Sequence, residues 1–525
     1  MKKIFFAIIL TFTFFACTDK FEEANRNQFL ISDEELDQDF NRLGSPFQSL
    51  LSNQFGPSWY GQIEEDLCHD NWTRMLATPT PFVGGVNNTT YYIRWNFTWG
   101  RIYGHVMSPA AQVIKQADEG GYEVFSAWAK LLQVYAVSKL TTFYGPVIYS
   151  KFGVSGQANI YDSEPELYNE LFADLDAIQS VFSSNEDYQG LKKFDASYGG
   201  DMVKWSKLVN ALRLRLAIRI SKVNPSLAKT QGEKAMSDAS GLISANSENF
   251  TVSLYGNKLP MNFICFEWGD TRMGAGMESF GVGLKDNRIK SFFEPAADNT
   301  LYPDHPDWPY KGIHSGAFLD AKDQRLTYST VNESFKSVTS RRAFTYSEVC
   351  FLKAEAALRG WAGAGDAKTN YEDGVKASFA DWGAGGVDAY LADATSTPID
   401  YVDPKDARNN WTSRSDITVA WDDADSNERK LEKIITQKWF NNFTNSNEAW
   451  VDHRRTGYPK LPYNTKNDSN ADWGVIAADD FLRRMPFPNS ERDNNPDGVA
   501  DATSKLGGPD EIGTHLWWDT GESNF

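Results

Sequence analysis

Flat rings beside amides, a guanidinium and carboxylates are the residues of this chain best suited to chemistry. The 525 residues include 17 Trp, and 14% of all positions are aromatic. Trp72, Arg74, Asn88, Trp95, Trp99, Trp268 and Trp308 combine these types in stretches that read as loops. The axial C–H face of a sugar stacks on such a ring while its hydroxyls bond Asn, Asp, Gln and Arg, so the set suits a rigid, repeated glycan. A peptide groove would use the same aromatics together with backbone pairing, so composition leaves both ligands open. For each ring taken singly, packing in a core or loop is the alternative.

Catalytic and metal signatures are poorly represented. There is no G-x-S-x-G elbow, P-loop, H-E-x-x-H or dinucleotide fingerprint. His69, His105, His305, His314, His453 and His515 are scattered and read as ordinary polar or core residues. A glycosidase would need two carboxylates facing one cleft, which abundance alone does not establish. Asp493, Asn495, Asp497 and Asp501 alternate around Gly498 as in a calcium loop, but Ser504 stands where the bidentate Glu belongs. The run reads as an Asn/Asp-rich turn with calcium as the alternative. No other cofactor is expected. Arg454 and Arg455, beside Glu448, Trp450 and Asp452, read as charge-assisted pairs locking a helix end, the alternative being an anion site.

A net charge of -18 argues against nucleic acid and disfavours a polyanionic ligand. Lys2 and Lys3 precede an apolar run, Ile4–Phe15, that is too short to span a bilayer and ends at Ala16-Cys17. Residues 1–16 therefore read as a lipoprotein signal peptide and Cys17 as the lipidated residue that anchors the chain to a membrane, the alternative being a plain secretory signal with an incidental Cys17. Cys68, Cys265 and Cys350 are too few for a disulfide framework; Cys350 reads as core, and a Cys68–Cys265 bridge is conceivable.

The elements that must hold these groups are mainly helical. Residues 17–40 form a tether, and a short amphipathic helix is expected near Leu43–Leu51. Helical spacing marks 106–240, 345–380 and 428–461 as scaffold. Within it, 201–220 should turn Val203, Leu208, Leu212, Leu216 and Ile220 inward and Arg213 and Arg215 outward. Segments 62–104, 244–344 and 383–425 are irregular, aromatic-rich insertions with a few short strands. The fold class is mainly α, with tetratricopeptide-like helical pairs. Residues 41–525 are expected to form a single domain.

The stretch 428–461 resembles the C-terminal signature of the SusD/RagB family of nutrient-binding lipoproteins. Phe344–Gly360 (FTYSEVCFLKAEAALRG) is similar to its aromatic-x-E-x-x-x-x-x-A-E-A helix, Arg483–Glu491 (RRMPFPNSE) to its Arg-Arg segment, and Leu516–Asp519 (LWWD) to its closing strand. The resemblance implies a SusD-like fold and a lipid-anchored binder at the outer-membrane cell surface that, without catalysis, delivers oligosaccharides to a SusC-like TonB-dependent transporter. RagB-like members make oligopeptides the alternative, and a surface glycoside hydrolase is a further one.

Overall fold

Polar caps start most of the long helices. In the computed structural model, which describes residues 36–56, 60–154, 156 and 160–525, the scaffold begins with α1 (Ser108–Gly120) and α2 (Glu123–Tyr144). Gly121, at φ 75°, takes the left-handed turn between them. Next come α3 (Glu164–Ser184), α4 (Met202–Arg219) and α5 (Pro225–Ser237). Then follow α6 (Tyr346–Leu358), α7 (Ala367–Asp381), α8 (Asn427–Asn441), α9 (Ser446–Thr456) and α10 (Pro496–Lys505). Asp201, Asn224, Thr345, Asp366 and Ser426 each accept a bond from a first-turn N–H, removing an orphan donor at the start of α4 to α8.

Sequence neighbours pack as pairs: α1 on α2, α2 on α3, α3 on α4, α4 on α5 and α6 on α7, with α8 lying against α6. The α6–α7 approach is close enough that a Cβ at Gly374 would stand 2.7 Å from the Phe351 ring. Short antiparallel ribbons join distant insertions, β1 (Leu76–Ala77) with β3 (Arg272–Met273) and β2 (Phe250–Ser253) with β4 (Ser340–Phe344). A continuous apolar core of Phe280, Phe292, Phe351, Phe379, Trp439, Phe440 and Phe443 binds helices to insertions. This is the mainly helical, paired architecture expected, with few and short strands.

Pro46–Phe525 is one compact unit, and the described residues 36–45 belong to another. In the latter, Asn41–Gly44 is a helical turn and Arg42 Nε donates to Asp37 at 2.5 Å. The helix expected over 43–51 is thus two pieces, the second being Phe47–Ser52. The signal segment, Cys17 and most of the expected tether lie outside the described residues. Among those described, no helix is long and apolar enough to cross a membrane.

Four local expectations need correction. Arg213 and Arg215 are buried, not outward: Arg213 pairs with Asp176, and Arg215 meets Glu348 at 2.8 and 2.7 Å, while Val203 is exposed. Cys68 and Cys265 are free thiols, each buried in its own surroundings. Leu516–Asp519 is a turn closed by Asp519 N–H on Leu516 O at 2.9 Å, not a strand. The calcium-like run lies in helices, Asn489–Asn494 and α10, with Asn495 capping Gly498 and Lys505 bonding Asp501. Among the described residues, no group of three or more His, Cys, Asp or Glu side chains that could hold a metal ion occurs.

Candidate functional site

Prolines at every third position keep 302–310 (YPDHPDWPY) out of any helix and leave its rings at the surface. With 278–285 and 399–404 this segment lines a cleft of about 510 Å³. Tyr302, His305 and Trp308 are half-buried along it, while Lys285, Asp304, Asp400 and Val402 are exposed at its mouth. The Tyr302 and His305 rings stack at 6.1 Å and 20°, and Lys290 Nζ lies 4.6 Å from the Trp308 centroid.

The cleft floor is rigidly bonded. Buried Glu278 accepts from Lys311 Nζ and Gly312 N–H, both at 2.7 Å, and meets His305 Nε2 at 3.4 Å. The other His305 nitrogen, Nδ1, lies 2.8 Å from Trp308 O, so the imidazole ties carboxylate to tryptophan backbone. Burial opposes the imidazolium, but the bond and charge of Glu278 outweigh it and raise the His305 pKa. Both Glu278 oxygens are engaged, which leaves rings and exposed polar groups to meet a ligand.

The other sequence candidates separate into two sets. Trp72, Arg74, Asn88 and Trp99 are at most 3% exposed, so as site residues they are corrected: protein already covers their faces. Trp72 packs on Trp450 and donates to Asn88 O at 3.0 Å, and Trp99 is enclosed by Tyr103, Tyr144, Tyr161 and Phe487. Arg74 bonds Pro462 O, Asn71 O and the Tyr91 hydroxyl. Asn88 braces the following loop through Arg94 N–H at 2.8 Å and Trp95 O at 2.9 Å. Trp95 is half-buried and Trp268 is 42% exposed, and neither lines the Trp308 cleft. Reading rings singly missed Tyr302 and His305; the proline spacing around Trp308 was the available signal.

Arg454 and Arg455 are structural, as expected. Arg455 bonds Glu355 and Asp452, while Arg454 stacks on Trp450 and donates to Thr142 O and Arg483 O. His314 and His453 are packed groups whose pKa values burial pushes down to about 4 and about 3.

No curated protein matches the chain. Among solved structures, a chitin-binding SusD homologue from Flavobacterium johnsoniae is 39% identical over 92% of this chain and 100% of its own, with a TM-score of 0.87. A SusD homologue from Bacteroides vulgatus is 33% identical over 93% and 99%, at 0.85. Another from Bacteroides uniformis is 34% identical over 91% and 99%, at 0.84. The SusD-like family model, described as Susd and RagB outer membrane lipoprotein, matches residues 23–519. The chain belongs to the SusD-like family.

Proposed function

We propose that this chain is a lipid-anchored, surface-exposed glycan-binding protein of the outer membrane. It captures an oligosaccharide in the Trp308 cleft, leaves its bonds intact and hands it to a SusC-like TonB-dependent transporter. The observation that carries the reading is the cleft itself: rings of Tyr302, His305 and Trp308 along one wall, hydrogen-bonding groups at its mouth, and a volume within the ~300–1,000 Å³ common for small-ligand sites. The chitin-binding relative supports a β-linked amino-sugar polymer as first cargo to test. The apolar run ending at Cys17 supports the anchor.

Calorimetric titration with chitin oligosaccharides and, separately, with a peptide mixture tests the reading. Saturable glycan binding that Trp308→Ala weakens is expected. Binding of peptides alone, or shortened sugars after incubation, would overturn it.

A further inference from the structure

A second cleft, of about 620 Å³, opens where the β2–β4 ribbon meets the C-terminal end of α7. None of its lining residues lines the Trp308 cleft. On β4, neighbouring arginines face different tasks. Arg341 is consumed by Glu65, at 3.0 and 2.8 Å, and by Thr444 O. Arg342 lies over Trp382, 4.3 Å from the ring centroid, with one donor on Asp381 O; the Asp381 carboxylate attracts it from beyond ion-pair distance. A stacked guanidinium keeps its planar edge of donors oriented at low entropic cost.

Acceptors stand beside those donors. The Asp381 carboxylate receives Asn249 Nδ2 at 2.8 Å and feels the Arg342 charge without a direct ion pair to it. Asn246 spends its amide N–H on Ala377 O, while its Oδ1, like Ser197 Oγ, is buried without a hydrogen-bond partner among the described residues. Hydroxyls of Thr251, Ser291, Ser337 and Ser340 complete the lining.

We infer that this cleft is a second binding site, for a neutral, hydroxyl-rich saccharide unit. The charges select that class. An anion attracted to Arg342 would meet Asp381, and a cation attracted to Asp381 would meet Arg342. A polyol both donates and accepts, so it satisfies the two together. The inference does not depend on the Trp308 cleft.

The test is saturation-transfer NMR titration of diacetylchitobiose, cellobiose and maltose into the Trp308→Ala protein. Saturable binding of at least one is expected. Arg342→Met, which keeps the apolar stem on Trp382, and Asp381→Ala should each weaken it about five- to tenfold, as loss of a net hydrogen bond would. Absence of saturable binding in the Trp308→Ala protein overturns the inference, as does binding indifferent to both substitutions. If either variant melts early, crystals of the Trp308→Ala protein soaked in the same sugars decide: sugar on Arg342 supports the site, and sugar elsewhere only, or none, overturns it. Binding lost with Trp308→Ala but kept with Arg342→Met would sink this proposal alone; the reverse would sink the Trp308 reading alone.

Discussion

The Glu355 carboxylate on α6 lies fork to fork against the Arg455 guanidinium on α9, at 2.6 and 2.7 Å, with both side chains 1% exposed. The pair joins two stretches a hundred residues apart in sequence. Asp452 continues from Arg455 at 3.1 Å to Lys438 at 2.9 Å, and Lys438 lies 3.6 Å from Glu348. Glu348 holds Arg215, so charges alternate through α4, α6, α8 and α9. Truncating one partner leaves the other buried with a single remaining counter-charge, Arg359 for Glu355 or Asp452 for Arg455, so Glu355→Ala or Arg455→Ala should cost up to about 3–5 kcal/mol. Urea unfolding midpoints check this, and a cost under about 1 kcal/mol would refute it.

The same pair sets an acid limit. Burial would raise the Glu355 pKa, but Arg455 and Arg359 outweigh it and lower it to about 2. A depressed carboxylate stabilises above its unfolded value near 4.5, and that contribution is lost as pH falls toward 2. The shift corresponds to about 3 kcal/mol. Unfolding free energies measured from pH 6 to pH 2.5 should fall for the native chain and fall less for Glu355→Gln.

Glu164 has the opposite sign. Burial pushes its pKa up to about 7, although Trp517 N–H bonds it and Arg484 and Arg454 attract it. The folded chain therefore holds this proton more tightly than the unfolded one, and stability falls as pH rises from about 4.5 through 7. Glu164→Gln keeps an acceptor for Trp517 and carries no charge. Its melting temperature should change less than the native protein's between pH 5 and pH 8; equal changes would count against the assignment.

How much of this was legible depended on whether a residue's role was local. Helical spacing marked the ranges that hold α1 to α9, because periodicity is written within a few residues. Arg454 and Arg455 could be assigned to scaffold because Asp452 lies on the same helix. Arg215 misled because its partner, Glu348, is 133 residues away, and a charge with no local partner looks like a solvent-facing one. Trp72, Trp99 and Asn88 misled similarly: a loop-like run can be buried when distant rings such as Trp450 and Phe487 close over it. Trp308 was named by type and lines a cleft, whereas the rings beside it, Tyr302 and His305, needed the proline spacing to be weighed as geometry.

Asn88 now has a different expected phenotype from a ligand contact. It makes bonds to Arg94 N–H, Trp95 N–H and O, and the Cys68 sulfur, all from a wholly buried side chain. Asn88→Ala should destabilise the fold by about 2–3 kcal/mol, since several donors and acceptors lose partners together. Glycan affinity measured below the melting transition should stay within about twofold of native, as a net change under about 0.4 kcal/mol implies. A variant of native stability with lost affinity would return Asn88 to the binding site.

The His305–Glu278 contact predicts how the main cleft responds to pH. Burial and Lys311 disfavour the imidazolium, whereas Glu278 and the Trp308 carbonyl favour it and prevail. A raised histidine pKa stabilises below the unfolded value, near 6.5, and loses that contribution as pH rises through the folded value. The link that fixes the Trp308 segment is therefore strongest under mildly acidic conditions. NMR titration of the His305 ring should give a pKa above 6.5, and Glu278→Gln should lower it by removing the charge. A value at or below 6.5 in the native protein, or one unmoved by Glu278→Gln, would show that Glu278 does not hold this imidazole in solution.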